Sequence, residues 1–259
     1  MSVKFAVADH VARVTIDRPE RMNAVDEDTA DELENIWQRV ESDNDIRIVV
    51  LTGTGDKAFC AGADMKAGGT TRSGLDYWAH ARPGGFGGLT LRKSLHVPVI
   101  ARVNGLAVGG GFELVLGCDI VIASETASFG LPEARVGRMP LDGGMLQLPR
   151  MIPQKIAMGM LLTGNRVSAA DGLSYGFVNE VVAPAALDDA VDRWVAQILK
   201  CAPLSVKAIK ECVKETSDLP LDQAKSMRLP SLVAALQSED ADEGPRAFRE
   251  KREPDWKGR

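Results

Sequence analysis

The stretch PVIARVNGLAVGGGFELVLGCDIVIAS, residues 98–124, decides how this chain is built. Val99 to Val103 is an apolar run of strand length, Gly109-Gly110-Gly111 opens a short apolar helix to Gly117, and Asp119 to Ala123 is a second apolar run. Strands apolar at consecutive positions are buried on both faces, and strands of that kind joined through helices make parallel sheet. The stretch therefore predicts an α/β fold.

The same grammar extends in both directions. Upstream, Val3 to Ala8 and His10 to Ile16 read as an antiparallel hairpin turning at Asp9-His10. Ala30, Leu33, Ile36, Trp37 and Val40 recur at helical spacing between acidic residues, predicting an amphipathic helix from Glu27 to Glu41. Ile46 to Leu51 follows as a buried strand stopped by Thr52-Gly53. Downstream come a helix from Pro153 to Leu162 and a strand from Val178 to Val182. Lys66 to Thr90 is a glycine-rich connection long enough to be a substrate lid. From Pro184 onward the pattern is helical: Ala185 to Lys200, Pro203 to Lys214, Leu221 to Leu236 and Glu239 to Glu250. The expected organisation is a core domain over residues 1–200 and a helical oligomerisation region over 201–259.

Composition narrows the function. The 259 residues are 45% hydrophobic and 26% charged, which excludes a disordered or collagen-like chain. Thirty-one Lys and Arg against 36 Asp and Glu leave a net charge of −5 with no polybasic block, so neither nucleic acid nor an anionic membrane is the expected partner. The N-terminus lacks a signal-peptide core, and the longest apolar run, Val97 to Val115, is broken by Arg102, Asn104, Glu113 and four glycines. A cytoplasmic protein is expected. Four isolated cysteines and three scattered histidines suggest no disulfide framework and no metal site.

Two places carry chemistry. At Val108-Gly109-Gly110-Gly111-Phe112-Glu113, glycines after a strand let a ligand approach the free N–H groups of a helix's first turn, where negative charge on a carbonyl oxygen is stabilised. Close packing of helix on strand would need the same glycines. Glu113 is the only charge between Arg102 and Asp119, and among Phe112, Leu114, Val115 and Leu116 its pKa should rise into the range of acid/base work. The second place is Phe129-Gly130-Leu131-Pro132-Glu133, where Pro132 at a helix start puts Glu133 in the opening turn. Either glutamate, alone, could be an ordinary first-turn carboxylate; as a pair on consecutive βα units they could divide acid and base roles in hydrating a polarised double bond. A third segment, Phe59 to Lys66, is a small-residue turn that could supply a second backbone N–H.

The runs CAGADMK, PVIARVNGLAVGGGFELVLGCDIVIAS, ASFGLPEARVG and LTGNRVSAADGLSYGFVNEVV, in this order, resemble the crotonase superfamily, also called the enoyl-CoA hydratase/isomerase family, over nearly the whole chain. Within it, PGGFGGLT at 83–90 and the ending SEDADEGPRAFREKREPDWKGR are similar to the branch acting on carnitine derivatives. The resemblance implies a spiral of ββα repeats, a C-terminal helical region used for trimer contacts, and a homotrimer or dimer of trimers. It implies an acyl-CoA thioester as substrate, with coenzyme A entering as part of that thioester and no separate cofactor. It places an oxyanion hole at the N–H groups of Ala63 and Gly110, catalysis at Glu113 and Glu133, and CoA contacts at Ala61, Ala63, Asp64, Met65, Lys66, Gly109 and Gly110. It also implies that Lys251 can reach the CoA of a neighbouring subunit.

The sequence departs from the pattern at Pro140-Leu141-Asp142, where Leu141 displaces by one position the acidic residue that the carnitine-related enzymes carry after the proline. Tyr77, Trp78, Phe86 and Asp76 are candidates for holding a quaternary ammonium, although lid aromatics also serve to pack a lid down. The alternatives are a Δ3-Δ2 enoyl-CoA isomerase, which needs only one carboxylate, and a non-catalytic CoA-binding or RNA-binding relative. A Ser-dependent protease on the same spiral would need a Ser/His/Asp set, and none of the three histidines lies beside a glycine-flanked Ser.

Overall fold

The computed structural model describes residues 1–65 and 74–259. The chain opens with β1 (Val3–Ala8) and β2 (Val11–Ile16), paired antiparallel through a two-residue turn in which Asp9 and His10 both take positive φ. Helix α1 (Glu27–Ser42) starts at Asp26, whose carboxylate accepts the Thr29 N–H at 2.9 Å. The amphipathic face expected from the sequence is the buried one: Ala30, Leu33, Trp37 and Val40 face the core.

Next come β3 (Ile48–Gly53), β4 (Ala58–Cys60), α2 (Gly74–Ala79), β5 (Val99–Val103), β6 (Leu106–Val108), α3 (Gly110–Gly117), β7 (Ile120–Ser124) and β8 (Ser128–Gly130). They repeat one unit: a long strand, a short strand, then a helix. The long strands enter a six-stranded sheet in the order β1-β2-β3-β5-β7-β10, where β10 is Glu180–Val182. Every pairing in it except β1 with β2 is parallel. The short strands β4, β6 and β8 pair in parallel in a second sheet that β9 (Val167–Ser168) closes antiparallel. This is the spiral of ββα repeats.

The strands are apolar on consecutive residues because the main sheet is covered twice. Val49, Leu51, Val99, Ala101, Val103, Val121 and Ala123 face the principal core with Leu33 and Trp37. Ile48, Val50, Ile100 and Ile122 face the other way, onto Leu187, Ala190, Val191 and Val195. The second sheet's short strands escape sequence reading, since three residues show no period. What holds them is particular: Gly105 packs where a Cβ would lie 2.5 Å from the Lys57 carbonyl, and the buried amides of Asn23 and Asn104 both donate to the Ala58 carbonyl, at 2.7 and 2.9 Å.

The rest is helical: α4 (Gly144–Met151), α5 (Gln154–Thr163), α6 (Ala169–Tyr175), α7 (Leu187–Leu199), α8 (Pro203–Thr216), α9 (Leu221–Ser226), α10 (Pro230–Leu236) and α11 (Glu239–Glu250). The single helix expected over Leu221 to Leu236 is two. Pro230 opens α10, and the residue before it, Leu229, is extended at φ −70°, ψ 134°, as a residue preceding proline prefers. Pro132 begins a 3-10 turn, Pro132–Val136, rather than an α-helix. Among the described residues no helix is long and apolar enough to cross a membrane, and no group of His, Cys, Asp and Glu could hold a metal ion.

Residues 74–92 lie across the edge of the core and are tied to α1. Arg82 reaches Glu27 and Asp31, Arg92 reaches Glu34 and Glu41, and the Trp37 indole N–H donates to the Gly87 carbonyl at 2.7 Å. The sequence's lid expectation covered 66–90, of which 66–73 lie outside the described residues.

Candidate active site

The site is built around the first turn of α3. Gly109 caps the helix at φ 57°, a conformation in which a side chain is strained. A Cβ on Gly111 would fall 2.0 Å from the Cys60 carbonyl oxygen, so the helix start is pressed against the end of β4. The close-packing and the free-donor readings of the triplet are thus both realised. Gly111 allows the contact, while among the described residues the Gly110 N–H has no acceptor within the chain.

A second donor comes from the turn after β4. Val25 bridges Ala63 in parallel fashion, its N–H donating to the Gly62 carbonyl and its carbonyl accepting from the Asp64 N–H. That pattern turns the Ala63 N–H to the opposite side, where it too has no acceptor among the described residues. A Cβ on Gly62, at φ +85°, would lie 3.2 Å from the Gly110 nitrogen, so the two donor-bearing turns are in contact. Arg18 fixes the Ala63 turn through Asp64, at 3.0 Å, and also pairs with Asp26 and the Ala24 carbonyl.

Glu113 is 3% exposed and lies one turn into α3. Its Oε1 accepts the Gly144 N–H at the start of α4 at 2.9 Å. Burial dominates its titration, with the charges of Asp142 and Glu133 adding, and its pKa is pushed up to about 8 despite the Gly144 and Asp142 N–H groups that favour the charged form. Glu133 sits half-buried in the 3-10 turn, and burial raises its pKa as well. Its Oε1 lies 3.1 Å from where a Gly109 Cβ would be, and its Oε2 is buried without a partner among the described residues. Such an atom calls for a ligand or a water.

The expected residues therefore divide. Glu113, Glu133, Gly109, Gly110 and Ala63 come together, and Ala61 lies in the same turn, its N–H held by the Met22 carbonyl at 3.1 Å. Met65, at the end of that turn, is 74% exposed. Lys66 lies outside the described residues. Lys251 is exposed at the end of α11, in the C-terminal helices, and contributes to this site only if a second copy brings it there. Sequence reading missed Gly144, whose N–H holds Glu113, and gave Asp142 no role. The Gly143-Gly144 pair after an acidic residue was the signal available. Of the candidate aromatics, Tyr77 donates to Asp142 Oδ2 at 2.6 Å, Phe86 lies against Gly110, and Trp78 is 65% exposed.

Two N–H donors without an acceptor among the described residues, beside one buried and one half-buried carboxyl, can stabilise negative charge on a carbonyl oxygen and exchange protons with a ligand. The Enoyl-CoA hydratase/isomerase family model matches residues 7–259, and the chain belongs to that family. It is 42% identical to carnitinyl-CoA dehydratase of Citrobacter koseri, over all of this chain and 99% of that one. It is 43% identical to carnitinyl-CoA dehydratase of Proteus mirabilis with the same coverage. The crystal structure of enoyl-CoA hydratase from Bacillus anthracis, 32% identical, superposes with a TM-score of 0.91 over the whole of both chains. This chain is an enoyl-CoA hydratase-type lyase, and its substrate class is the acyl-CoA thioester.

Proposed function

We propose that the chain interconverts crotonobetainyl-CoA and carnitinyl-CoA by adding or removing water. The observation that carries the water chemistry is a buried carboxyl, Glu113, and a half-buried one, Glu133, both at the start of α3, where among the described residues the Gly110 N–H has no acceptor. In this reading the Ala63 and Gly110 N–H groups hold the thioester carbonyl and draw charge onto its oxygen. Burial raises the pKa of both carboxyls, and the reaction needs one of them ionised and the other protonated. The ionised carboxylate takes a proton from water as its oxygen bonds to the β-carbon, the enolate forms on the two N–H groups, and the protonated partner delivers its proton to the α-carbon. Dehydration is the reverse.

The acyl group is argued from the full-length likeness to the two carnitinyl-CoA dehydratases and from the site's charge. Glu113, Glu133 and Asp142 cluster, and among the described residues no Lys, Arg or His is hydrogen-bonded to any of them. Arg82, the cation acting on Tyr77, is occupied by Glu27 and Asp31. Acidic groups beside an aromatic ring suit a quaternary ammonium, which offers no N–H to bond. Loss of the enoyl-thioester absorbance, followed with crotonobetainyl-CoA and crotonyl-CoA in parallel, is the test. Faster turnover of crotonobetainyl-CoA is expected. A preference for crotonyl-CoA would make it a general hydratase, and conversion of a Δ3-enoyl-CoA without hydration of either would make it an isomerase.

The active unit in this proposal is a homotrimer or a dimer of trimers. Met145, Leu146 and Met151 on α4 and Met158 and Leu162 on the adjoining α5 are exposed, apolar surface of the kind that marks a contact with another chain. Light scattering should give three or six times the 27.8 kDa chain mass; a monomer would count against it.

A further inference from the structure

Asp142 has no part in the steps above, yet it is 5% exposed and placed among groups that have. Its Oδ2 accepts the Tyr77 hydroxyl at 2.6 Å, and its carboxylate is also stabilised by the Phe86 N–H. Both donors belong to the segment over the site. Helix α2 buries none of its own residues: Leu75 is 73% exposed and Trp78 65%. Apolar burial therefore does little to seat it, and Tyr77 joins it to Asp142. At the other end of the segment, the Phe86 ring lies where a Gly110 Cβ would come within 2.7 Å, so holding the Phe86 backbone also holds the ring against Gly110. From its other side the same loop presents the Gly144 N–H to Glu113.

We propose that Asp142 is a positioning residue: clasped by the Tyr77 hydroxyl and the Phe86 N–H, its carboxyl group pins residues 74–92 onto the site and stands beside Glu113 where that group exchanges its proton. The titratable groups facing Glu113 are Asp142 and Glu133, with Tyr77 beyond Asp142. Arg82, which acts on Tyr77, is paired with Glu27 and Asp31 and leaves Asp142 uncompensated. Asp142 raises the Glu113 pKa by repulsion, and burial raises that of Asp142 itself while the Tyr77 hydroxyl opposes the rise.

The test compares Asp142→Asn and Tyr77→Phe with the wild-type full-length chain. One readout is the infrared carboxyl band of Glu113, isolated at each pH by subtracting the spectrum of Glu113→Gln; the other is amide hydrogen exchange over 74–92. Neither depends on which acyl-CoA is the substrate. Asp142→Asn should move the Glu113 midpoint down by about one pH unit, since the repelling charge is gone, and should speed exchange in the segment severalfold. Tyr77→Phe, which keeps the ring, should speed the same exchange and shift the midpoint less in the same direction, and it decides the matter alone if Asp142→Asn does not fold. An unmoved midpoint would reduce Asp142 to a structural residue, and unchanged exchange would show that the clasp does not hold the segment; either overturns the proposal.

Discussion

Glu113→Gln and Glu133→Gln each lower kcat by about 10³-fold, the range for removing a positioned acid or base, with KM changed far less. Neither substitution disturbs the two N–H donors, so binding of the thioester survives. In Glu113→Gln the amide oxygen still accepts the Gly144 N–H, so the fold survives too. That variant also carries a stability signature. Glu113 titrates near 8 in the folded chain against 4.5 for an ordinary glutamate, so the native state holds its proton more tightly than the unfolded chain does. The cost of ionising it in place is absent below 4.5, grows as pH rises towards about 8, and is complete above that. Glu113→Gln removes the cost, so its stability relative to wild type should improve between about pH 5 and about pH 8 by a few kcal/mol, on the order of 1.4 kcal/mol for each pH unit. Urea unfolding at the two pH values measures it. A difference that is flat with pH would mean that the carboxyl is not desolvated.

Gly111→Ala should cost about 3 kcal/mol or more. The added Cβ would fall 2.0 Å from the Cys60 carbonyl oxygen and 2.7 Å from its carbon. Both sides of that contact are backbone, one in the buried strand β4 and one in α3, so no side chain can swing aside. Relief requires α3 to move, and the Gly110 N–H and Glu113 move with it, so activity should fall with stability. Gly159→Ala is the contrast. It lies within α5 with nothing within 4 Å of its Cβ position, and it should be neutral or stabilising by about 0.5–1 kcal/mol. Thermal or urea unfolding of the two variants side by side separates steric fit from helix propensity. Equal effects would remove the reason given for the glycine at 111.

The long strands, α1 and the glutamate pair are legible in the sequence because each has a local cause. Ile48, Val50, Ile100 and Ile122 are apolar on the face turned from the main core because α7 covers it, and that double burial is written as an unbroken apolar run. Glu113 is conspicuous because nothing else between Arg102 and Asp119 is charged. The second sheet is not legible in this way. Strands of three residues, such as Leu106–Val108, are held by contacts distant in sequence, among them Asn23 and Asn104 meeting at the Ala58 carbonyl. In the sequence Asp142 reads only as an acidic residue out of place, since its partner Tyr77 is 65 positions away and no spacing rule joins them. The unpaired state of the Ala63 N–H likewise depends on Val25 occupying the other side of the turn.

The paired glutamates are expected to add water to the substrate rather than only move its double bond. The direct measurement is the mass of the acyl-CoA formed when the wild-type chain and crotonobetainyl-CoA are incubated in heavy-oxygen water. A product heavier by one molecule of that water, with its oxygen on the β-carbon, is expected from the wild-type chain, and none from Glu113→Gln or Glu133→Gln. A product of unchanged mass with a relocated double bond would contradict it.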